Sequence, residues 1–430
     1  MSLLDRTIRE ISNRISFKLH YSSYMKSQFY SKEELKNIQV NKLKHIVQEA
    51  IQNVPFYQNL KSNINFNPFT LEELTKFPIV SKDIIRNNPD LFINTKINKK
   101  TAQWSHTSGS SGKPFHFIVP NNSDSIENIM AARAWSMGSS YQYHPGDAVI
   151  SLRSYAPKEG QPLLRRKGNY WYLSAFDMNK HNLDFYLNTI EESGAKIIRG
   201  YASSLYIFSL LLKENNIKIK QVKTLITSSE SILPQYRQTI ENHWGIKVLD
   251  WYGQNERTVT VQQCSHGNYH NNDEYGIIEL DEHNQIIATS LINDVMPFIR
   301  YATSDIAIRV ESIPQKCPCN RNLSIPFKEI DGRADDILVK TDNTKIPTAN
   351  MYTAMQVFET IKQFHIIQKT DKSLHIKLVG YSAISNVEIQ QIKHALSLRV
   401  GELPMTFEIV DEIERSRTTG KIKAIETLIK

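Results

Sequence analysis

The segment His106-Thr-Ser-Gly-Ser-Ser-Gly-Lys-Pro114 gathers hydroxyls, glycines and one lysine into a loop suited to a triphosphate. Gly109 and Gly112 let backbone N–H groups approach phosphate oxygens, the hydroxyls of Thr107, Ser108, Ser110 and Ser111 add donors, and Lys113 adds positive charge. The spacing is not that of P-loop NTPases, because Gly109 and Gly112 are too close together and Pro114 stands where that motif needs a hydroxyl for magnesium. Pro114 also pushes Lys113 away from helical angles. Phe115-His-Phe-Ile-Val119 is apolar and partly alternating, which predicts strand, loop, strand. Tyr252-Gly-Gln-Asn-Glu256 offers an aromatic face, a tight turn at Gly253 and a carboxylate. Thr227-Ser-Ser-Glu-Ser231 closes the apolar run at Leu225 and Ile226, a strand end of the kind where open α/β sheets bind ligands. Cys264-x-His266-x-x-x-His270 and Cys317-x-Cys319 use every cysteine of the chain. Three thiolates with one imidazole, from His266 or His270, would form a closed tetrahedral zinc site; unmetallated intracellular thiols are the alternative.

These groups need a scaffold, and the 430-residue chain is long enough for two or three domains with a core that needs no staples. Residues 1–60 read as helices with a buried stripe at Leu35, Ile38, Leu43, Ile46 and Val47, ending near Asn53-Val-Pro-Phe-Tyr57. From about 100 to 330 short apolar runs alternate with helical stretches: Ala148–Leu152, Leu183–Glu192, Lys196–Ile198, Leu205–Glu214 and Thr224–Ile226. That is an α/β rhythm. After a Pro-rich stretch, Ile313–Pro326, a new pattern of Ser373–Val379, Val387–Leu398 and Thr406–Val410 predicts a small C-terminal α/β domain. The net charge of +8 includes no dense basic run, so it reads as a solvated surface that favours anionic substrates and not as a nucleic-acid footprint. The longest apolar stretches fall far below the roughly 20 residues of a membrane span. The first 30 residues lack a signal core, and an odd cysteine count points to a reducing compartment, so we expect a cytoplasmic protein.

The loop at Thr107–Pro114 resembles the T-S-G-[ST]-[ST]-G-x-P signature of adenylate-forming enzymes, the superfamily of acyl-CoA synthetases, peptide-synthetase adenylation domains and firefly luciferase. Further matches follow in the family's order. Tyr252–Glu256 resembles Y-G-x-T-E, with Asn255 in place of Thr, which implies that Tyr252 stacks near adenine and Glu256 holds Mg²⁺. Gly253, Gln254, Asn255, Ser229 and Glu230 then belong to the nucleotide site. Pro297–Asp305 resembles P-x-x-R-Y-R-T-G-D, with Ala302 and Ser304 as departures, and implies Asp305 on the ribose hydroxyls. Asp331–Leu338 resembles the G-R-x-x-D-x-I hinge, with Arg333 on phosphate or ribose and Asp336 at the pivot. Ser416–Lys421 resembles the terminal G-K signature, which makes Lys421 the catalytic lysine, with Lys113 and Glu256 beside it in role.

Within the superfamily the chain most resembles the phenylacetate-CoA ligase and CapK-like branch tied to capsular polysaccharide biosynthesis, over nearly its whole length. Asn53–Tyr57, Phe77–Lys82, Arg199–Ser204, Trp251–Arg257 and Cys264–His270 carry that likeness. It implies an acyl pocket at Gly200 and Tyr201 and a zinc whose role is structural. It also implies a large multi-layer α/β adenylation domain over 1–332, its first 100 residues largely helical, and a small mobile α/β lid over 333–430. The reaction implied is ATP-dependent adenylation of a small carboxylic acid with pyrophosphate release, then acyl transfer to CoA or to an amine or hydroxyl. The competing readings are a nucleotidyltransferase that adenylates a hydroxyl, and a non-catalytic nucleotide-binding homologue. The acid, the acceptor and the oligomeric state stay open.

Overall fold

The structure, a computed structural model, describes residues 3–107, 115–138, 141–153, 155, 157, 160–230, 232–312, 316–331, 338–346, 351, 354–355, 357–358, 360–413 and 424–429. The chain begins with α1 (Leu3–Ser27), α2 (Lys32–Asn53), β1 (Val80–Ser81), α3 (Lys82–Asn87), β2 (Gln103–Thr107), β3 (Phe115–Val119) and α4 (Ser123–Trp135). Next come β4 (Val149–Leu152), β5 (Leu164–Lys167), β6 (Tyr170–Leu173), α5 (Leu183–Ser193), β7 (Ile197–Gly200), α6 (Ala202–Glu214), β8 (Thr224–Ser228) and α7 (Pro234–Trp244). There follow β9 (Val248–Gly253), β10 (Thr260–Gln263), β11 (Tyr269–Asn271), β12 (Gly276–Leu280), β13 (Gln285–Ser290), β14 (Tyr301–Ile308) and β15 (Glu329–Asp331). The last elements are β16 (Leu338–Val339), β17 (Lys345–Ile346), β18 (Ile361–Gln368), β19 (Leu374–Gly380), α8 (Asn386–Val400), β20 (Met405–Ile409) and β21 (Ile425–Thr427). The expected elements at 115–119, 148–152, 183–192, 196–198, 205–214, 224–226, 373–379, 387–398 and 406–410 are all present to within a few residues.

Two compact units divide the chain: the first comprises 1–107, 115–143 and 251–332, the second 108–114, 144–250 and 333–430. In the first unit, Ser31 and Glu34 start α2 with a reciprocal capping box, and Leu35, Leu43, Ile46, Val47, Ala50 and Ile51 form its buried stripe. From Leu43 to Ile51 that stripe packs with Tyr57, Phe77, Phe117, Phe298 and Tyr301 in one core, where each fully buried large side chain contributes about 1.5–3 kcal/mol. The sheet runs β1-β14-β13-β12, with β15 on β14. Strand β1 is parallel to β14 with Val80 opposite Tyr301 and Ser81 opposite Ala302, which sets Lys82 beside that strand. The two expected strands, β2 and β3, pair antiparallel. Deep inside, Arg133 is fully enclosed and donates to Glu274 at 2.7 Å and to Asn272 at 2.6 Å. Its guanidinium also meets the Tyr24 carbonyl and the Ser27 hydroxyl, tying α1 to α4.

In the second unit the strands lie in the order β8-β7-β4-β6-β5, the first four parallel and β5 antiparallel at the edge. The runs Val149–Leu152 and Thr224–Ile226 are buried throughout, as expected for parallel strands covered by helices on both faces. A second sheet, β20-β19-β18-β21, packs Leu374, Ile376 and Ile366 against Ile392, Leu396 and Val400 of α8. Phe176 joins that core, and Lys340 pairs with Asp177 at 3.2 Å. Among the described residues no helix is long and apolar enough to cross a membrane.

Candidate functional site

In the first unit the hairpin of β9 and β10 pairs Tyr252 with Val261 and Gly253 with Thr260, so the turn Gln254–Arg257 projects from a fixed base. The Tyr252 hydroxyl donates to Asp305 Oδ2 at 2.7 Å, and Gln254 Nε2 donates to the same hydroxyl. Thr258 fixes the Gln254 amide by donating to Oε1 at 2.7 Å. Tyr252 and Asp305, far apart in sequence, thus meet directly. Burial and the Asp305 carboxylate push the Tyr252 phenol well above its ordinary range, so it stays a donor.

Glu256 is buried, and Tyr301 of β14 donates to its Oε1 at 2.9 Å. Burial pushes the Glu256 carboxyl above the ordinary carboxylate range, against the opposing charge of Lys82. The Lys82 ammonium lies 5.6 Å from the centre of the Phe115 ring. Burial lowers its pKa, with Glu256 and Asp305 acting in the opposite direction. Lys82 is thus a half-buried cation under the influence of the Glu256, Asp83 and Asp305 carboxylates, charges that a phosphate and a hard divalent cation would engage. Lys82 had no assigned role in the sequence, although the segment Phe77–Lys82 that it ends was among those carrying the family likeness. Arg257 adopts φ +56° and is held by Ser123 and Asp124, which fixes the residue after Glu256. Asn255 and Gly253 are exposed. Ser304 takes φ +68°, which explains why the family pattern places Gly there.

In the second unit Gly200 ends β7, and a Cβ there would sit 3.1 Å from Leu205 Cγ and 3.2 Å from the Leu152 carbonyl oxygen, so only glycine fits without a shift. Tyr201 caps the start of α6 by position. Glu230 accepts from the Ser203 backbone N–H at 2.9 Å and from its hydroxyl at 3.0 Å, so its carboxylate sits at the α6 N-terminus, where the helix dipole favours it. Ser229 adopts φ +71° and accepts from Arg153. Thr107 is the last residue of β2. Ser108, Gly109, Ser110, Ser111, Gly112 and Lys113, with Arg333, Asp336 and Lys421, lie outside the described residues.

The cysteine clusters converge, with Cys264, His270, Cys317 and Cys319 presenting ligand atoms within 4.8 Å of one another. His270 is the histidine of the cluster; His266 is exposed on the turn before β11. The β10–β11 register, with Gln262 opposite His270, turns that imidazole inward. Tetrahedral zinc with Zn–S of about 2.3 Å and Zn–N of about 2.0 Å requires S···S edges of about 3.8 Å and S···N edges of about 3.5 Å. The Cys264–Cys317 separation is 3.8 Å and the Cys319–His270 Nε2 separation is 3.4 Å. His270 Nδ1 faces the Leu323 carbonyl at 3.3 Å, which directs Nε2 to the thiols. Hydrogen bonds from Cys264 and then His270 hold the Cys319 thiol well below its ordinary range. The donor set therefore fits a zinc ion.

Residues 338–427 match the CapK C-terminal domain family. Protein CapK of Staphylococcus aureus is 22% identical, the alignment covering 97% of this chain and 96% of that protein. Phenylacetate-coenzyme A ligase of Escherichia coli (strain K12) is 23% identical over 86% of this chain and 85% of the ligase. Among solved structures, 2-hydroxyisobutyryl-CoA ligase with 2-HIB-AMP and CoA in its thioesterification state superposes with a TM-score of 0.59 at 15% identity, covering 93% of this chain and 91% of that one. The α/β fold of this protein is that of the adenylate-forming CoA ligases.

Proposed function

This chain belongs to the adenylate-forming superfamily, in its phenylacetate-CoA ligase and CapK-like branch, and from that membership we propose that it activates a carboxylic acid with ATP and passes the acyl group to CoA or another acceptor. In the first step a carboxylate oxygen attacks the α-phosphorus and the bond to pyrophosphate breaks. In the second, a thiol, amine or hydroxyl attacks the acyl carbon and AMP leaves. The observation that carries this reading is the meeting of Tyr252, Asp305, Glu256, Tyr301 and Lys82 in one unit.

In this reading Asp305 accepts from the ribose hydroxyls and Tyr252, braced by Asp305 and Gln254, packs its ring beside adenine. Glu256, with Tyr301 fixing its orientation, would hold Mg²⁺, which neutralises phosphate charge when bound. The loop 107–113 and Arg333 take phosphate oxygens, Asn255 offers an amide to a phosphate or acyl oxygen, Ser229 and Glu230 border adenine, and Gly200 and Tyr201 line the acyl pocket. Residues 333–430 act as a lid that pivots at Asp336 and delivers Lys421 to the reacting carboxylate, a gating motion of known type. Cys264, His270, Cys317 and Cys319 hold a structural zinc. A cytoplasmic place in capsular or surface-polysaccharide assembly is the biological setting suggested by the CapK likeness. The test is ATP–pyrophosphate exchange across a carboxylic-acid panel. Exchange that requires an acid supports the proposal; pyrophosphate release driven by a hydroxyl compound, with a stable AMP-bearing product, overturns it.

A further inference from the structure

Three parallel neighbours of the second unit, β4, β7 and β8, each hand on to a polar or aromatic residue immediately past their carboxyl ends: Arg153, Tyr201 and Ser229. This edge is where open α/β sheets bind ligands. Arg153 lies over the Tyr201 ring, 5.2 Å from its centre, and donates from Nη2 to the Ser229 hydroxyl at 2.8 Å. Its Nε is buried and has no hydrogen-bond partner. One residue before Gly200, Arg199 lies 5.1 Å from the Tyr170 ring centre and donates from Nε to Ser151 at 3.2 Å. Burial and the nearby Arg153 charge lower the Arg199 pKa, with Tyr170, Tyr172 and Tyr201 as the opposing influences. Among the described residues no carboxylate pairs with either guanidinium.

Two half-buried arginines that repel one another, walled by tyrosines and with no carboxylate partner among the described residues, are a costly arrangement for a fold to keep. A planar anion relieves it, since each guanidinium presents a donor fork matched to a carboxylate. Ser229, at φ +71°, accepts from Arg153 Nη2, while the buried Nε makes no hydrogen bond and is left for such a guest to satisfy. The geometry points to a doubly anionic substrate: the acid that is activated carries a second acidic group, a carboxylate in the simplest case, bound by Arg153 and Arg199 beside Tyr201. This rests on the acid-activation reading above, with Gly200 and Tyr201 at the acyl pocket. The aromatic wall fits a short or ring-shaped spacer between the two acidic groups.

Two measurements test it with the full chain. The first is the thermal midpoint with glutarate or phthalate against butyrate or benzoate at matched ionic strength. The diacids are expected to raise the midpoint of the wild type more than the monoacids do, and Arg153→Gln and Arg199→Gln to abolish that difference. Equal shifts from both kinds of acid, or a diacid shift that survives in both variants, overturn the proposal. Binding of ATP alone confirms that each variant is folded; if ATP binding is what both variants lose while diacid binding persists, the arginines serve the nucleotide and the proposal fails. The second is acid-dependent exchange, where kcat/KM for a diacid should exceed that for its monoacid counterpart by about tenfold or more, the size expected of a hydrogen-bonded charge. In Arg153→Gln that ratio should collapse towards one. Exchange with no acid of either kind sinks the activation reading, while the binding measurement still decides the arginine site.

Discussion

Removing one hydroxyl from the core should expose how Glu256 is kept ionisable. In Tyr301→Phe the ring still packs on Phe298 and Phe115, but the 2.9 Å hydrogen bond to Glu256 is gone. A bond from a neutral donor to a charged acceptor is worth about 1.5–3 kcal/mol, and the carboxylate is left buried with one donor fewer. That loss raises further a Glu256 pKa that burial already holds above the ordinary carboxylate range. The sign follows from linkage. A carboxyl whose folded pKa lies above its unfolded value contributes stability that is full below the unfolded pKa and is lost as pH rises through the folded one. The variant should therefore be less stable than wild type by about 1.5–3 kcal/mol at pH values above the folded pKa of both proteins, with the gap closing as pH falls through it. Urea denaturation of both proteins from pH 5 to pH 8 measures it. In exchange assays the pH midpoint of the Mg²⁺ requirement should move up in the variant. A stability gap that is flat with pH, together with an unmoved Mg²⁺ profile, would refute the assignment of Glu256 as the metal-holding carboxylate braced by Tyr301.

Lys82→Met should raise the nucleotide or Mg²⁺ requirement and slow exchange while leaving the thermal midpoint within a few degrees; full exchange in the variant would remove Lys82 from the site. Lys421→Ala should slow exchange by about 10²–10³-fold, the scale of losing one group aimed at developing charge, as read by initial rates at saturating ATP. Cys319→Ser, or treatment with a strong zinc chelator, should release one zinc per chain by metal analysis and lower the thermal midpoint, whereas three freely titratable thiols in the folded wild type would contradict the site. Glu274→Ala should cost about 3–5 kcal/mol, because it strands the enclosed Arg133 charge. Burial pushes Glu274 up, but Arg133 holds it below the ordinary range, so this stability is present above the usual glutamate pKa and falls away on acidification.

Much of the architecture was legible along the chain because burial leaves a local imprint. The stripe from Leu35 to Val47 announced α2, and the apolar runs at Ala148–Leu152 and Thr224–Ile226 announced elements of an α/β rhythm, since each pattern depends only on near neighbours. The polar residues of Tyr252–Glu256 could be picked out because they are adjacent in sequence on one turn. What tertiary structure alone decided is which distant side chains meet. The choice of His270 over His266 came from the β10–β11 pairing, which holds His270 buried in the ladder and leaves His266 on the exposed turn before it. The parallel pairing of β1 with β14 brought Lys82 to Glu256 and Asp305, more than 170 residues further on. Arg153 and Arg199 share one strand-end edge only because β4 and β7 are neighbours in the sheet, although α5 and two strands separate them in the chain. Periodicity is a property of a few consecutive residues, whereas convergence depends on strand order, and strand order is set by how the whole core closes.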